Sequence, residues 1–238
     1  MKHRFLAVAV CAELLIIIFI AIASLLSEIG FALFYNVFYG VVLSTLVPII
    51  FLHKNNISFQ EIGIKKMKIK QYIVLVGFVF FSIGGQIIPI LINGVSLRFD
   101  LLPICILPLI MTTFFEEFLF RGIIQRRIEQ QYGGVVGVLM SGLLFSLYHL
   151  GYPNFRNISD LLLLFAVGMG FALAYKLSDH NLFVAYFVNL PNAFLTYILK
   201  SEQFPVFTAL SGVFAGITIV VIVTLFIFII KRRVVCIK

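Results

Sequence analysis

Long apolar runs recur along the whole chain, at about 5–27, 31–52, 72–93, 101–125, 134–150, 159–177, 181–199 and 206–230. Each run is continuous and none alternates at a period of two, which predicts helices rather than barrel strands. A helix needs roughly 20 residues to cross a hydrocarbon core of about 30 Å, and most of the runs reach that length. The pattern therefore predicts an all-α polytopic membrane protein with about eight transmembrane helices. The first run follows Met1-Lys2-His3-Arg4, which resembles the basic start of a signal peptide. It is too long for a signal core, contains Glu13 and has no small-residue cleavage site after it, so it reads as a retained span.

The polar tracts between the runs set the orientation. With the N-terminus inside, the inner segments hold Lys2, Arg4, Lys54, Lys65, Lys66, Lys68, Lys70, Arg121, Arg126, Arg127, Lys176, Lys231, Arg232, Arg233 and Lys238. Only Arg98, Arg156 and Lys200 fall outside. This asymmetry predicts that both termini are cytosolic. The chain then divides into accessory helices over 1–100 with a basic cytosolic loop at 53–71, a four-helix core over 101–199, and a last helix with a basic tail over 200–238. The four lysines of the loop suit anionic headgroups, but plain topogenic charge accounts for them more simply.

Composition agrees with this pattern. Of 238 residues, 62% are hydrophobic, against roughly 45–50% in a soluble domain. Charged residues make up 12%, too few for a disordered chain or a cytosolic enzyme. A net charge of +8 would suggest nucleic acid in a soluble protein. Here it is the positive-inside bias, and the expected partners are the lipid bilayer and a membrane-associated protein or peptide, with no nucleic acid. Cys11, Cys105 and Cys236 are far apart and form neither a disulfide framework nor a zinc ribbon. Asn157-Ile158-Ser159 matches a glycosylation acceptor, and is read as a chance match.

Ionisable groups inside spans are costly, so each needs a reason. Glu13 stands alone in the first run and receives no role. The fourth run carries Glu116-Glu117 in a phenylalanine-rich stretch, followed by Arg121. Glu117 and Arg121 are four apart and share a helix face, so they can pair. Glu116 lies about 100° round the helix and faces a different neighbour, where desolvation suits it to act as a general base. The fifth run ends with Phe145 and His149 on one face, and His149 is the one histidine inside a run. The seventh holds Asn189 and Asn192 around Pro191. Proline frees a backbone carbonyl and the amides supply donors and acceptors, either for function or to satisfy a kink. At about 1.5 Å per residue, all of these groups lie roughly 12–22 Å from the basic border, so a shared polar pocket is geometrically allowed.

Glu116-Glu117-x-x-x-Arg121 followed by Phe145-x-x-x-His149 resembles the motif pair of the CAAX protease and bacteriocin-processing family, also called the Abi family. The resemblance covers about 101–199. It implies an intramembrane endopeptidase in a multi-pass membrane protein, and the Phe/Ile-rich, Lys-rich composition is compatible with a bacterial plasma membrane. In it Glu116 activates water, Glu117 and Arg121 support it, and His149 is the first motif histidine. The family's third motif begins with histidine where this chain has Asn189, with Asn192 three residues on. The resemblance leaves two options for a cofactor: zinc held by Glu116 and His149, or no metal. The loss of the second histidine favours the metal-free route, with His149 and Asn189 polarising the scissile carbonyl. The alternative function is a catalytically impaired relative, acting in bacteriocin immunity or as a regulatory membrane binding protein. A proton or ion transporter has the least support, because no pair of broken helices marks matching halves.

Overall fold

A computed structural model describes residues 2–94, 96–153, 156–199 and 207–235. Lys200, Cys236 and Lys238, which entered the sequence reading, lie outside the described residues. Among the described residues every regular element is a helix. In chain order the helices are α1 (Lys2–Ala23), α2 (Glu28–Lys54), α3 (Ile69–Asn93), α4 (Phe99–Tyr132), α5 (Gly134–Tyr148), α6 (Ile158–Leu177), α7 (Leu182–Leu199) and α8 (Ala209–Val235). Seven of them are long and apolar enough to cross a membrane. The remaining one, α1, has a shorter apolar part, Val8–Ala23.

The outer surface supports a membrane setting. On α3, Ile73, Val76, Phe80, Phe81 and Ile88 are all exposed, as are Val213, Ile217 and Val220 on α8. A water-soluble fold would bury such a band, whereas lipid solvates it. Inside, one large cluster joins Ile16 and Ile20 of α1, Tyr35 and Tyr39 of α2, Phe115 and Phe120 of α4, Phe145 and Tyr148 of α5, Phe171 of α6 and Val188 of α7. The early helices and the motif-bearing helices thus share one core.

Two features of α4 differ from the sequence expectation. The helix runs past 125 to Tyr132, because Gln125 and Glu129 pair with each other at 3.0 Å and with α6. It also changes character, from an α-helix over Leu102–Glu116 to a π-helix over Glu117–Gln125. The wider i→i+5 turn begins between the two glutamates and turns both toward α7. The prolines Pro108 and Pro191 lie within continuous helix.

The basic loop is folded rather than slack. Ser58 and Glu61 cap each other, through Ser58 N–H to Glu61 Oε1 at 2.8 Å and Glu61 N–H to Ser58 Oγ at 3.2 Å. Hydrogen bonds from the Ser58 backbone N–H and hydroxyl hold the Glu61 carboxyl below its usual range. Ile57 and Ile62 are buried against Tyr175 and Leu182. Gly63 has φ +97°, and a Cβ there would lie 2.2 Å from the carbonyl of His180, so only glycine fits. Lys65 donates to the carbonyl of Asp179 at 2.6 Å, and Gln71 to that of Ser178 at 2.7 Å. The loop is thereby clamped to the turn between α6 and α7.

Candidate active site

The site is built where the start of the π-helix in α4 meets α5 and α7. Glu117 and Arg121 form the expected pair, Oε2 to Nε at 3.3 Å, with both side chains fully buried. Arg121 also donates from Nη2 to the carbonyl of Gly168 at 2.9 Å. Its guanidinium lies over the rings of Phe145, at 4.6 Å, and Phe171, at 5.4 Å. These contacts offset the cost of burying a cation among apolar side chains. The approach of α6 depends on two glycines. A Cβ at Gly168 would lie 2.9 Å from Phe145 and 3.2 Å from the backbone of Gly142.

Glu116 faces other helices, as its position on α4 predicts. Tyr148 of α5 donates its hydroxyl to Oε1 in a short hydrogen bond. Asn189 of α7 donates from Nδ2 to Oε2 at 2.9 Å. The same amide nitrogen donates to Glu117 Oε1 at 2.8 Å. Asn189 was expected to aim a donor at a substrate carbonyl. In this structure its two N–H groups instead bridge the two carboxylates and hold them side by side. Each Glu116 oxygen then has one protein donor and a remaining lone pair.

His149 forms the first residue of a short turn that ends α5. Its Nδ1 is 2.8 Å from the carbonyl of Phe145. A carbonyl only accepts, so Nδ1 is the donor of this hydrogen bond. Asn192 belongs to a different network. Its Oδ1 accepts from Ser82 of α3 at 2.9 Å and from the Gln86 amide, while Thr196 donates to Gln86 Oε1 at 3.2 Å. By elimination the Asn192 –NH₂ is the end left for other partners.

Glu116, Tyr148, His149, Asn189 and Asn192 open onto one cavity of about 120 Å³, whereas Glu117 and Arg121 do not line it. Glu116, Tyr148, His149, Asn189 and Asn192 supply its polar part, and Tyr35, Leu109, Leu164, Tyr152 and Tyr197 much of the rest. Glu116 is 8% exposed and Arg121 0%, so the acid reaches the cavity and its supporting pair does not. Tyr148 and Tyr35 were missed from the sequence. Tyr148 adjoins the motif histidine, but nothing in the spacing separates it from a packing aromatic. Tyr35 comes from α2, and it bonds Thr112 at 3.2 Å and Tyr152 at 2.9 Å.

Zinc does not fit this donor set. Among the described residues no group of three or more His, Cys, Asp or Glu converges as metal ligands. Glu117 is turned to Arg121 and Asn189, and a catalytic zinc takes three protein ligands.

Fold and site together define a multi-pass helical membrane protein with two adjacent buried carboxylates, one of which, Glu116, reaches the cavity. Residues 98–194 match the family model described as Rce1-like, the type II CAAX prenyl endopeptidases. That segment runs from the loop before α4 into α7 and contains Glu116, Glu117, Arg121, His149, Asn189 and Asn192. The family resembled by the motifs is thus the one whose model matches, and the match supports a CAAX-type intramembrane endopeptidase fold. No curated protein and no solved structure matches the chain.

Proposed function

We propose that the protein is an intramembrane endopeptidase in which Glu116 activates water without a metal. The observation that supports this most is the carboxylate at the cavity floor, held by Tyr148 and Asn189 and backed by the Glu117–Arg121 pair. Water bound to Glu116 gives it a proton as the oxygen adds to the peptide carbonyl carbon. The C–N bond then breaks and the proton passes to the leaving nitrogen, so the products are a carboxylate and an amine. Asn189 acts as a positioning residue, fixing both carboxylates. Asn192 and His149 line the same cavity and are placed to polarise the carbonyl.

The reading of an impaired, partner-binding relative rests on Asn189, whose amide protons are both engaged with carboxylates. One experiment separates the two. Purified native protein and Glu116→Gln are compared on two fluorogenic probes, a farnesylated CAAX peptide and an apolar membrane peptide, each with and without chelator. Endopeptidase function predicts cleavage of at least one probe by native protein, unchanged by chelator and abolished in Glu116→Gln. No cleavage of either probe, with both proteins folded, favours the binding reading. Strong inhibition by chelator contradicts the metal-free route.

A further inference from the structure

We infer that the cavity receives its substrate from the non-cytosolic face of the membrane, so that the chain acts on an apolar peptide segment exposed outside the cytosol. The inference deepens the endopeptidase reading by naming its substrate class, and it rests on two features that lie at opposite ends of the bundle.

The first is charge. Around the folded loop, one end of the bundle gathers Lys54, Lys65, Lys66, Lys68, Lys70, Arg126, Arg127 and Lys176, against Glu61, Glu129 and Asp179. The structure joins these segments directly, through the Lys65 contact to Asp179, the 2.5 Å contact of His180 with Glu129, and Arg127 over the ring of Phe51. The opposite end joins the start of α2 to the start of α8 through Thr208 and Glu28, and the loop before α4 to the end of α7 through Arg98 N–H and the carbonyl of Ile198. Its described ionisable groups are Glu28, Arg98, Asp100, Arg156 and Asp160, and Arg98 is paired with Asp100. Positive charge is retained on the cytosolic side, which makes the first end cytosolic.

The second feature is the direction of the cavity. Apart from Phe145, which lies at the level of Arg121, the lining extends to one side of Glu116. From α4 come Leu109 and Thr112, which precede Glu116 and lie away from Arg126. From α7 come Asn192, Thr196 and Tyr197, which follow Asn189 and lie away from the Asp179 turn. Tyr152 follows the end of α5, and Phe207 precedes α8. On the other side of the carboxylates the bundle is sealed. Phe118, Phe120, Arg121, Gln125 and Tyr175 are each 0% exposed there. A peptide thus reaches Glu116 from the less basic end, and a tail confined to the cytosol meets the sealed side.

Thiol labelling tests this without any need for catalysis. The full chain is made with Cys11→Ser, Cys105→Ala and Cys236→Ser. Single cysteines are then placed in the cavity by Ala193→Cys or Thr196→Cys, and at the basic end by Lys66→Cys. Sealed right-side-out vesicles are treated with trimethylammonium-ethyl methanethiosulfonate, a small cationic reagent that does not cross membranes and suits a carboxylate floor. Remaining thiols are counted by a mass tag after denaturation. The expected result is that both cavity variants lose their free thiol in sealed vesicles, while Lys66→Cys reacts only after permeabilisation. Three results would overturn the inference: cavity thiols reached only after permeabilisation, Lys66→Cys reached from outside, or neither cavity thiol reached under any condition. Labelling from outside in a protein that cleaves neither probe would leave the cavity's orientation standing and remove only the endopeptidase reading.

Discussion

At the scale of single residues, the site depends on how four polar side chains share a few hydrogen bonds. Arg121 has one carboxylate, one carbonyl and three aromatic rings as partners, and is fully buried. Arg121→Ala leaves Glu117 as an uncompensated buried charge, a loss of roughly 3–5 kcal/mol. Thermal unfolding in detergent should show a large fall in melting temperature, and an unchanged value would mean that the pair does not support the fold. Tyr148 acts on Glu116 rather than on packing alone. Tyr148→Phe keeps the ring and removes one hydrogen bond to a carboxylate, worth roughly 1.5–3 kcal/mol. Turnover per folded protein should fall roughly 10- to 100-fold, with a modest drop in melting temperature, smaller than in Arg121→Ala. Equal turnover would show that the hydroxyl is not needed to poise the acid. The Glu117–Arg121 pairing was legible in the sequence because spacing of four on a helix is a local rule. The Tyr148 contact was not, since it depends on how α5 is rotated against α4, which no local pattern encodes.

At the scale of elements, eight apolar runs became eight helices because membrane helices are set by length and hydropathy, the strongest signals a sequence carries. The π-helix of Glu117–Gln125 left no such trace. It is fixed by tertiary partners, namely α6 through Gly168 and Ala172, which accept from Arg121 and Gln125 at 2.9 Å each. The folded loop was likewise hidden. Ile57 and Ile62 are isolated apolar residues in a lysine-rich stretch, and only their burial against Tyr175 and Leu182 gives them meaning. The close packing of α5 on α6 gives a sharp test. Gly168→Ala drives a methyl group toward Phe145 and the backbone of Gly142, whereas Gly170→Ala meets nothing within 4 Å. Gly168→Ala should cost roughly 1–3 kcal/mol and Gly170→Ala little, as read by melting temperature. Equal effects would mean that the α5–α6 contact is looser than described.

At the scale of the whole molecule, the helices outside the matched segment complete the site. Tyr35 of α2 lines the cavity, Tyr39 stacks on Tyr148 with ring centroids 6.4 Å apart, and Ser82 and Gln86 of α3 hold Asn192. The positions of the motifs were readable from the sequence, but the placing of Tyr35 of α2 in the cavity and the hold of α3 on Asn192 were not. The account's central claim is that Glu116 directs water to a peptide bond. It is tested most directly by running the cleavage reaction in heavy-oxygen water and reading the products by mass spectrometry, native protein beside Glu116→Gln. The account predicts one heavy oxygen in the new carboxyl group from native protein and no product from Glu116→Gln in a fold of equal melting temperature. Cleavage by Glu116→Gln at the native rate, or a native product without the heavy oxygen, would contradict it.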